Sequence, residues 1–149
     1  MKIVDANVLL YAVNEDAVHH ASLRGWWENA LNGDEPLGLC WPVLLAFLRI
    51  STHPRAFPHP LAPERAIAVV AKWLSHPNVR LVSESDTHWS ILSGLLRVAG
   101  TAGNLTTDAH LATLALSRGA ILVSCDTDFS RFPRLRWENP LDGAGSPRP

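Results

Sequence analysis

Four aspartates, Asp5, Asp108, Asp126 and Asp128, are the side chains of this 149-residue sequence best suited by type and setting to do chemistry together. Asp5 follows the short apolar run Ile3-Val4, Asp126 and Asp128 follow the run Ala120 to Val123, and Asp108 heads a helical segment. If they converge, each pair of charges about 4 Å apart repels by roughly 4 kcal/mol at an effective dielectric of about 20. Three or four such groups therefore call for a cation. Ligands that are all oxygen favour Mg²⁺ or Mn²⁺ over zinc. An ion of that kind bridges to a phosphate, orients a water and lowers its pKa, which is what phosphodiester hydrolysis requires. Three of the aspartates also have an ordinary reading: Asp5 as a helix cap, Asp108 as a favourable charge in a first helical turn, Asp128 as a turn residue. The arrangement carries more than its members.

The elements that must position these groups alternate between strand and helix. Lys2 to Val4 reads as a buried strand running directly into Asp5. Residues 18–32 repeat Leu23, Trp26, Trp27, Ala30 and Leu31 at helical spacing. Residues 37–40 form a second strand, and Pro42 suits the first turn of an apolar helix over 43–50. The segment 52–62 is an irregular, proline-bearing loop. Pro63 opens a helix that places Ile67, Val70, Ala71 and Leu74 on one face and ends before Pro77. Val79 to Val82 is a third strand. Ser85 or Asp86 can cap the next helix, whose stripe is Trp89, Leu92, Leu96 and Ala99. Thr107 can cap a helix from Asp108 to Arg118, closed by Gly119. Ala120 to Val123 is a fourth strand and Arg136 to Glu138 a short fifth. The expected fold class is α/β, with a mainly parallel central sheet and helices on both faces. Ligands of such sheets gather at the carboxyl ends of strands, where Asp5, Asp126 and Asp128 fall.

Size fits one domain, expected over 1–141, with a flexible tail over 142–149 of Gly, Ser and Pro composition. With 47% hydrophobic and 18% charged residues, the chain is globular and not disordered. A formal charge of −1 argues against coating nucleic acid by bulk electrostatics, while leaving room for an acidic pocket beside local Arg and Lys. Cys40 and Cys125 form no CxxC pair and are expected to be buried thiols in a reducing cytosol. Lys2 and Asp5 interrupt any signal-peptide run, and no stretch approaches a membrane span, so a cytoplasmic location is expected.

Three segments together resemble the ordered signatures of PIN domains, and within them VapC-like toxins of a mycobacterial group. These are Asp5-Ala-Asn-Val-Leu-Leu-Tyr11, Gly103-Asn-Leu-Thr-Thr-Asp-Ala-His-Leu-Ala112 and Leu122-Val-Ser-Cys-Asp-Thr-Asp-Phe129. The resemblance runs from Met1 to about Leu141. It implies a single PIN-like domain and a divalent-metal endoribonuclease whose water attack leaves a 5′-phosphate and a 3′-hydroxyl. On that reading Asp5 and Asp108 are principal metal ligands, Asp126 completes the acidic pocket, Asp128 contributes, and Asn7 or Thr107 orients ligands or substrate. The resemblance also implies a homodimer, a cognate antitoxin laid in the active-site groove, and a structured RNA of the tRNA or rRNA class as substrate.

One departure stands out. PIN nucleases usually carry a glutamate on the helix after the second strand, where this chain has Phe47, and no carboxylate lies between Glu35 and Glu64. Either one metal suffices, or Asp128 substitutes, or catalysis is weak, and the last leads to an alternative: a PIN fold used only to bind RNA or protein. Among other constellations, His19, His20, His53 and His59 lack a zinc-binding pattern, and His110 points away from Asp108 on an ideal helix. Trp26, Trp27, Trp73 and Trp89 read as core or dimer interface ahead of base-stacking platforms. Arg55, Arg131, Arg134 and Arg136 read as solvated charge, whereas Arg49, on an otherwise apolar helix, could neutralise the acidic pocket or hold a phosphate. Asp126-Thr-Asp-Phe-Ser130 also resembles a phosphatase DxDx motif, but that chemistry needs the motif near the chain start and a lysine downstream, and no lysine follows it.

Overall fold

The computed structural model describes residues 1–143, and the expected tail lies from residue 144 onward outside the described residues. Five short strands form one sheet: β1 (Lys2–Val4), β2 (Leu37–Leu39), β3 (Val79–Leu81), β4 (Ile121–Val123) and β5 (Trp137–Glu138). Their order is β3-β2-β1-β4-β5, and every neighbouring pair is parallel. Parallel strands need crossovers, and those leading from β1 through to β4 carry six helices, α1 (Ala6–Val13), α2 (His20–Leu31), α3 (Trp41–Ser51), α4 (Pro63–Leu74), α5 (His88–Ala99) and α6 (Leu105–Arg118), while β4 reaches β5 through a 3₁₀ segment, Thr127–Arg131. Helices α1 to α4 form one packed set and α5 with α6 another.

Chain order steps outward from β1 to β2 to β3, then crosses back to β4 and β5. The sheet therefore reverses direction between β1 and β4, the crevice where open α/β sheets present their ligand site. The core on the strands is apolar throughout, with Ile3, Val4, Leu39, Leu122 and Val123 at 0% exposure. At Gly38 a Cβ would lie 3.2 Å from both Ile3 Cγ1 and Val82 Cγ1, so the close packing of β2 explains a glycine inside a strand. No helix among the described residues is long and apolar enough to cross a membrane.

Three local expectations differ from the structure. Helix α6 begins at Leu105 after Asn104, so Thr107 is not a cap but an exposed residue of the first turn. Asp108 consequently sits three residues into the helix, still within its first turn, and not at its first position. Helix α5 begins at His88; its first turn is fixed by the His88 amide donating to the Ser85 carbonyl, not by a Ser85 or Asp86 side chain. Helix α4 buries Ala66, Val70 and Trp73, leaving Ile67 and Leu74 exposed, because packing Trp73 inward rotates the buried stripe by one position. Of the four tryptophans expected on apolar stripes, Trp27 and Trp73 are core residues and meet edge to face at 5.6 Å, whereas Trp89 is 73% exposed.

Candidate active site

The carboxyl ends of β1 and β4 build the site. Register pairs Val4 with Val123, so the next residues, Asp5 and Ser124, leave the sheet side by side. The Asp5 amide donates to the Val123 carbonyl at 2.9 Å, extending the ladder by one rung. Asp5 then turns the chain into α1 as its cap, accepting the Ala6 amide on Oδ1 at 2.6 Å. Its other oxygen, Oδ2, accepts from the Ser124 hydroxyl at 2.7 Å and from the Asn7 amide at 2.9 Å. The capping role and the site role thus coexist in one carboxylate.

After β4 the chain enters a 3₁₀ turn, Thr127–Arg131, whose cap is Asp126; its carboxylate accepts the Asp128 amide at 2.9 Å. That turn folds Asp128 back beside Asp126, and both face Asp108 from the first turn of α6. One carboxylate oxygen from each of Asp108, Asp126 and Asp128 lies within 4.8 Å of the others. Asp5 stands outside this trio with both oxygens already hydrogen-bonded, although its charge acts on Asp108. The structure therefore gathers all four predicted aspartates in one region, with Asp108, Asp126 and Asp128 as the mutually close group and the charge of Asp5 acting on Asp108 beside them.

Electrostatics follow from this crowding. Burial first, and then the charges of Asp5, Asp126 and Asp128, push the Asp108 carboxyl up to about 6. Burial likewise raises Asp5, against the hydrogen bonds from Ser124 and Ala6 that favour its ionised form. A hard dication fits this donor set: three mutually repelling carboxylates, one carrying a raised pKa, are relieved by positive charge, and among the described residues no nitrogen or sulfur ligand joins them. The linkage has a definite sign. Between the ordinary carboxyl value of 3.8 and about 6 the folded protein holds the Asp108 proton more tightly than the unfolded chain does. The contribution of Asp108 to metal-free stability is therefore expected to fall as pH rises through that window and to level off above it. Urea melts in chelator across the window, read as the difference between wild type and Asp108→Asn, check this; a difference flat in pH contradicts it.

Other candidates resolve simply. Phe47 is fully buried on α3 with its ring 4.7 Å from that of Trp73, so the position of the usual glutamate belongs to the core. Arg49 is exposed, and among the described residues no ion pair links it to a carboxylate. His110 turns away from Asp108 to meet His88, Nδ1 to Nε2 at 3.0 Å, and no histidine enters a group of three possible metal ligands among the described residues. Cys40 is buried and Cys125 half-buried, both free; burial is the first cause that pushes their thiols up, to about 11 and about 12, so neither is an activated nucleophile. A groove lined by Trp27, Trp73, Arg24 and Lys72 holds none of the four aspartates. Ser124 is the site residue that sequence reasoning missed. Fully buried, it donates to Asp5 and accepts the Asp126 amide at 3.0 Å. The signal was available, because two adjacent parallel strands of equal register must deliver residues 5 and 124 together.

A doubly wound parallel sheet with aspartates at its switch point defines a class of fold, and the comparisons with known proteins narrow it. The PIN domain profile matches residues 2–135, and the chain belongs to the PIN-domain family. It is 49% identical over 140 residues to a Mycobacterium tuberculosis protein named Ribonuclease VapC37, covering 94% of this chain and 97% of that one. The fold is also that of VapBC2 from Rickettsia felis, solved bound to a promoter DNA fragment, with TM-score 0.67, 20% identity and 93% and 97% coverage. M. tuberculosis VapC20, described as a Sarcin-Ricin loop cleaving toxin, superposes with TM-score 0.65 at 20% identity, covering 87% of this chain and 93% of that one.

Proposed function

We propose that this protein is a divalent-metal-dependent endoribonuclease, the toxin of a toxin–antitoxin pair acting in the cytoplasm. The observation that carries the reading is the meeting of Asp108, Asp126 and Asp128, with Asp5 beside them, at the switch point of a PIN-family sheet. Asp5, Asp108 and Asp126 would hold Mg²⁺ or Mn²⁺, with Asp128 completing the acidic wall. The bound ion supplies Lewis-acid activation of the scissile phosphate and of the attacking water. Asp5, fixed by Ala6, Asn7 and Ser124, keeps negative charge at the base of the site without moving.

Kinship with a protein named Ribonuclease VapC37 supports RNA hydrolysis, and the Sarcin-Ricin loop activity ascribed to VapC20 is in keeping with a structured RNA of the tRNA or rRNA class. The fold shared with VapBC2 supports an antitoxin partner. Exposed Trp41 and Leu45 on α3, and Trp89 and Val98 on α5, are apolar side chains a homodimer would cover. Phe47 favours one alternative, a binding module that has lost its chemistry. Cleavage of structured RNA with Mg²⁺ or Mn²⁺ separates the two readings. Wild type is expected to cut, and folded Asp5→Ala to lose at least about 100-fold in rate. RNA binding by folded wild type with no cleavage under either ion would establish the binding module instead.

A further inference from the structure

Two arginines follow the acidic loop with nothing in the fold to hold them. The 3₁₀ turn Thr127–Arg131 brings residues three apart onto one edge. Phe129 and Phe132 are buried and mark its inner edge. Asp128 and Arg131 are exposed and share the outer edge, the one on which Asp128 meets Asp108 and Asp126. The chain then turns again, the Leu135 amide donating to the Phe132 carbonyl at 3.4 Å around Pro133 and Arg134. Proline followed by a residue of positive φ is the pattern of a type II turn, whose third position favours glycine. Arg134 occupies it at φ 66°, and it is the one non-glycine residue among the described residues with positive φ. Arg136, two residues on, donates its guanidinium to the Gly119 carbonyl. Among the described residues the guanidinium groups of Arg131 and Arg134 make no ion pair and no hydrogen bond.

We propose that Arg131 and Arg134 form a phosphate-binding lip that seats the backbone of an RNA strand beside the aspartates. This rests on the RNA reading proposed above. A net charge of −1 supplies no bulk attraction for RNA, and carboxylates at the point of cleavage repel its phosphates. Positive charge is therefore needed locally, next to the acids and not neutralised by them. Arg131 meets that need, lying one turn from Asp128 without pairing to it. Three residues of chain span at most about 10 Å, so Arg134 continues the same positive strip away from the site. The strain at Arg134 points the same way, because glycine would fit the turn more easily and no contact in the fold compensates arginine there. A guanidinium offers a phosphate two parallel N–H donors, the chemistry that suits this place.

The test is binding of a fluorescein-labelled RNA hairpin to full-length protein in chelator, read by anisotropy over a range of KCl concentrations. Losing one phosphate contact lowers the slope of log affinity on log salt by roughly 0.7–0.9, or about 5–8-fold in affinity at about 0.1 M salt. Arg131→Gln and Arg134→Gly are each expected to show that loss. Arg65→Gln, on α4 beside β3 at the opposite edge of the sheet, should leave affinity unchanged. Arg134→Gly is also expected to raise the urea midpoint, so that a more stable protein binds RNA less well. A merely structural arginine would move stability and binding the same way. Arg134→Asn, tolerated in the same backbone region, carries the binding expectation if the glycine variant does not fold. Wild-type affinity and salt slope in either folded variant overturn the lip, and so does an equal loss in Arg65→Gln. If wild type itself binds no RNA, the RNA reading fails and the lip with it; if wild type binds and cleaves while either variant matches it, only the lip fails.

Discussion

Asp108→Asn is expected to lower divalent-dependent RNA cleavage by more than about 100-fold while leaving the metal-free protein more stable at neutral pH. Both effects come from one carboxylate. Asparagine keeps the shape of the side chain and the start of α6, but it removes a negative charge that burial and three neighbouring aspartates disfavour. The rise from 3.8 to about 6 corresponds to about 3 kcal/mol before screening, and to about 1 kcal/mol once the half-exposed setting is taken into account. The same charge is what draws the ion, so its loss should remove most of the activity. A labelled-RNA assay and a urea melt in chelator check the pair. Activity and stability falling together would mark Asp108 as a structural residue instead.

Phe47→Glu, which restores the acid that PIN nucleases usually carry, is expected to damage this protein and not to improve it. The ring is wholly buried and packs against Trp73 of α4. Losing it costs about 3–5 kcal/mol by the measure of other buried aromatics, and the carboxylate adds a desolvation penalty. Against a typical domain stability of about 5–15 kcal/mol, that is enough to unfold much of the population. Urea unfolding and Mn²⁺ titration of the variant are the measurements. A folded variant that binds Mn²⁺ more tightly than wild type would mean that α3 can turn this position toward the acids, contrary to the packing described.

Much of this was legible in the sequence because burial leaves a plain record. Strands buried on both faces read as unbroken apolar runs, and the aspartates that follow them fall at the carboxyl ends of β1 and β4 for that reason alone. Gly119 closes α6 in the left-handed region, with φ 58°, as its place after Arg118 suggested. What stayed hidden depended on packing between distant segments. The buried face of α4 is set by Trp73 meeting Phe47 and Trp27, contacts that no periodicity within residues 63–74 can encode. The true start of α6 depends on backbone hydrogen bonds from Leu105 and Thr106 to Ala102 and Gly103, one turn before the threonine that looked like a cap. Asp128 joins Asp108 and Asp126 because a 3₁₀ turn reverses the chain after Asp126, and two residues of sequence do not announce a reversal. Ser124 carries no charge and drew no notice, yet it connects Asp5 to Asp126.

Anomalous diffraction from crystals grown with Mn²⁺ tests the central claim most directly. A peak is expected about 2.1 Å from carboxylate oxygens of both Asp108 and Asp126, lost in Asp108→Asn crystals. A protein that cleaves RNA while its Mn²⁺ lies elsewhere, or while no ion occupies that position, would contradict it.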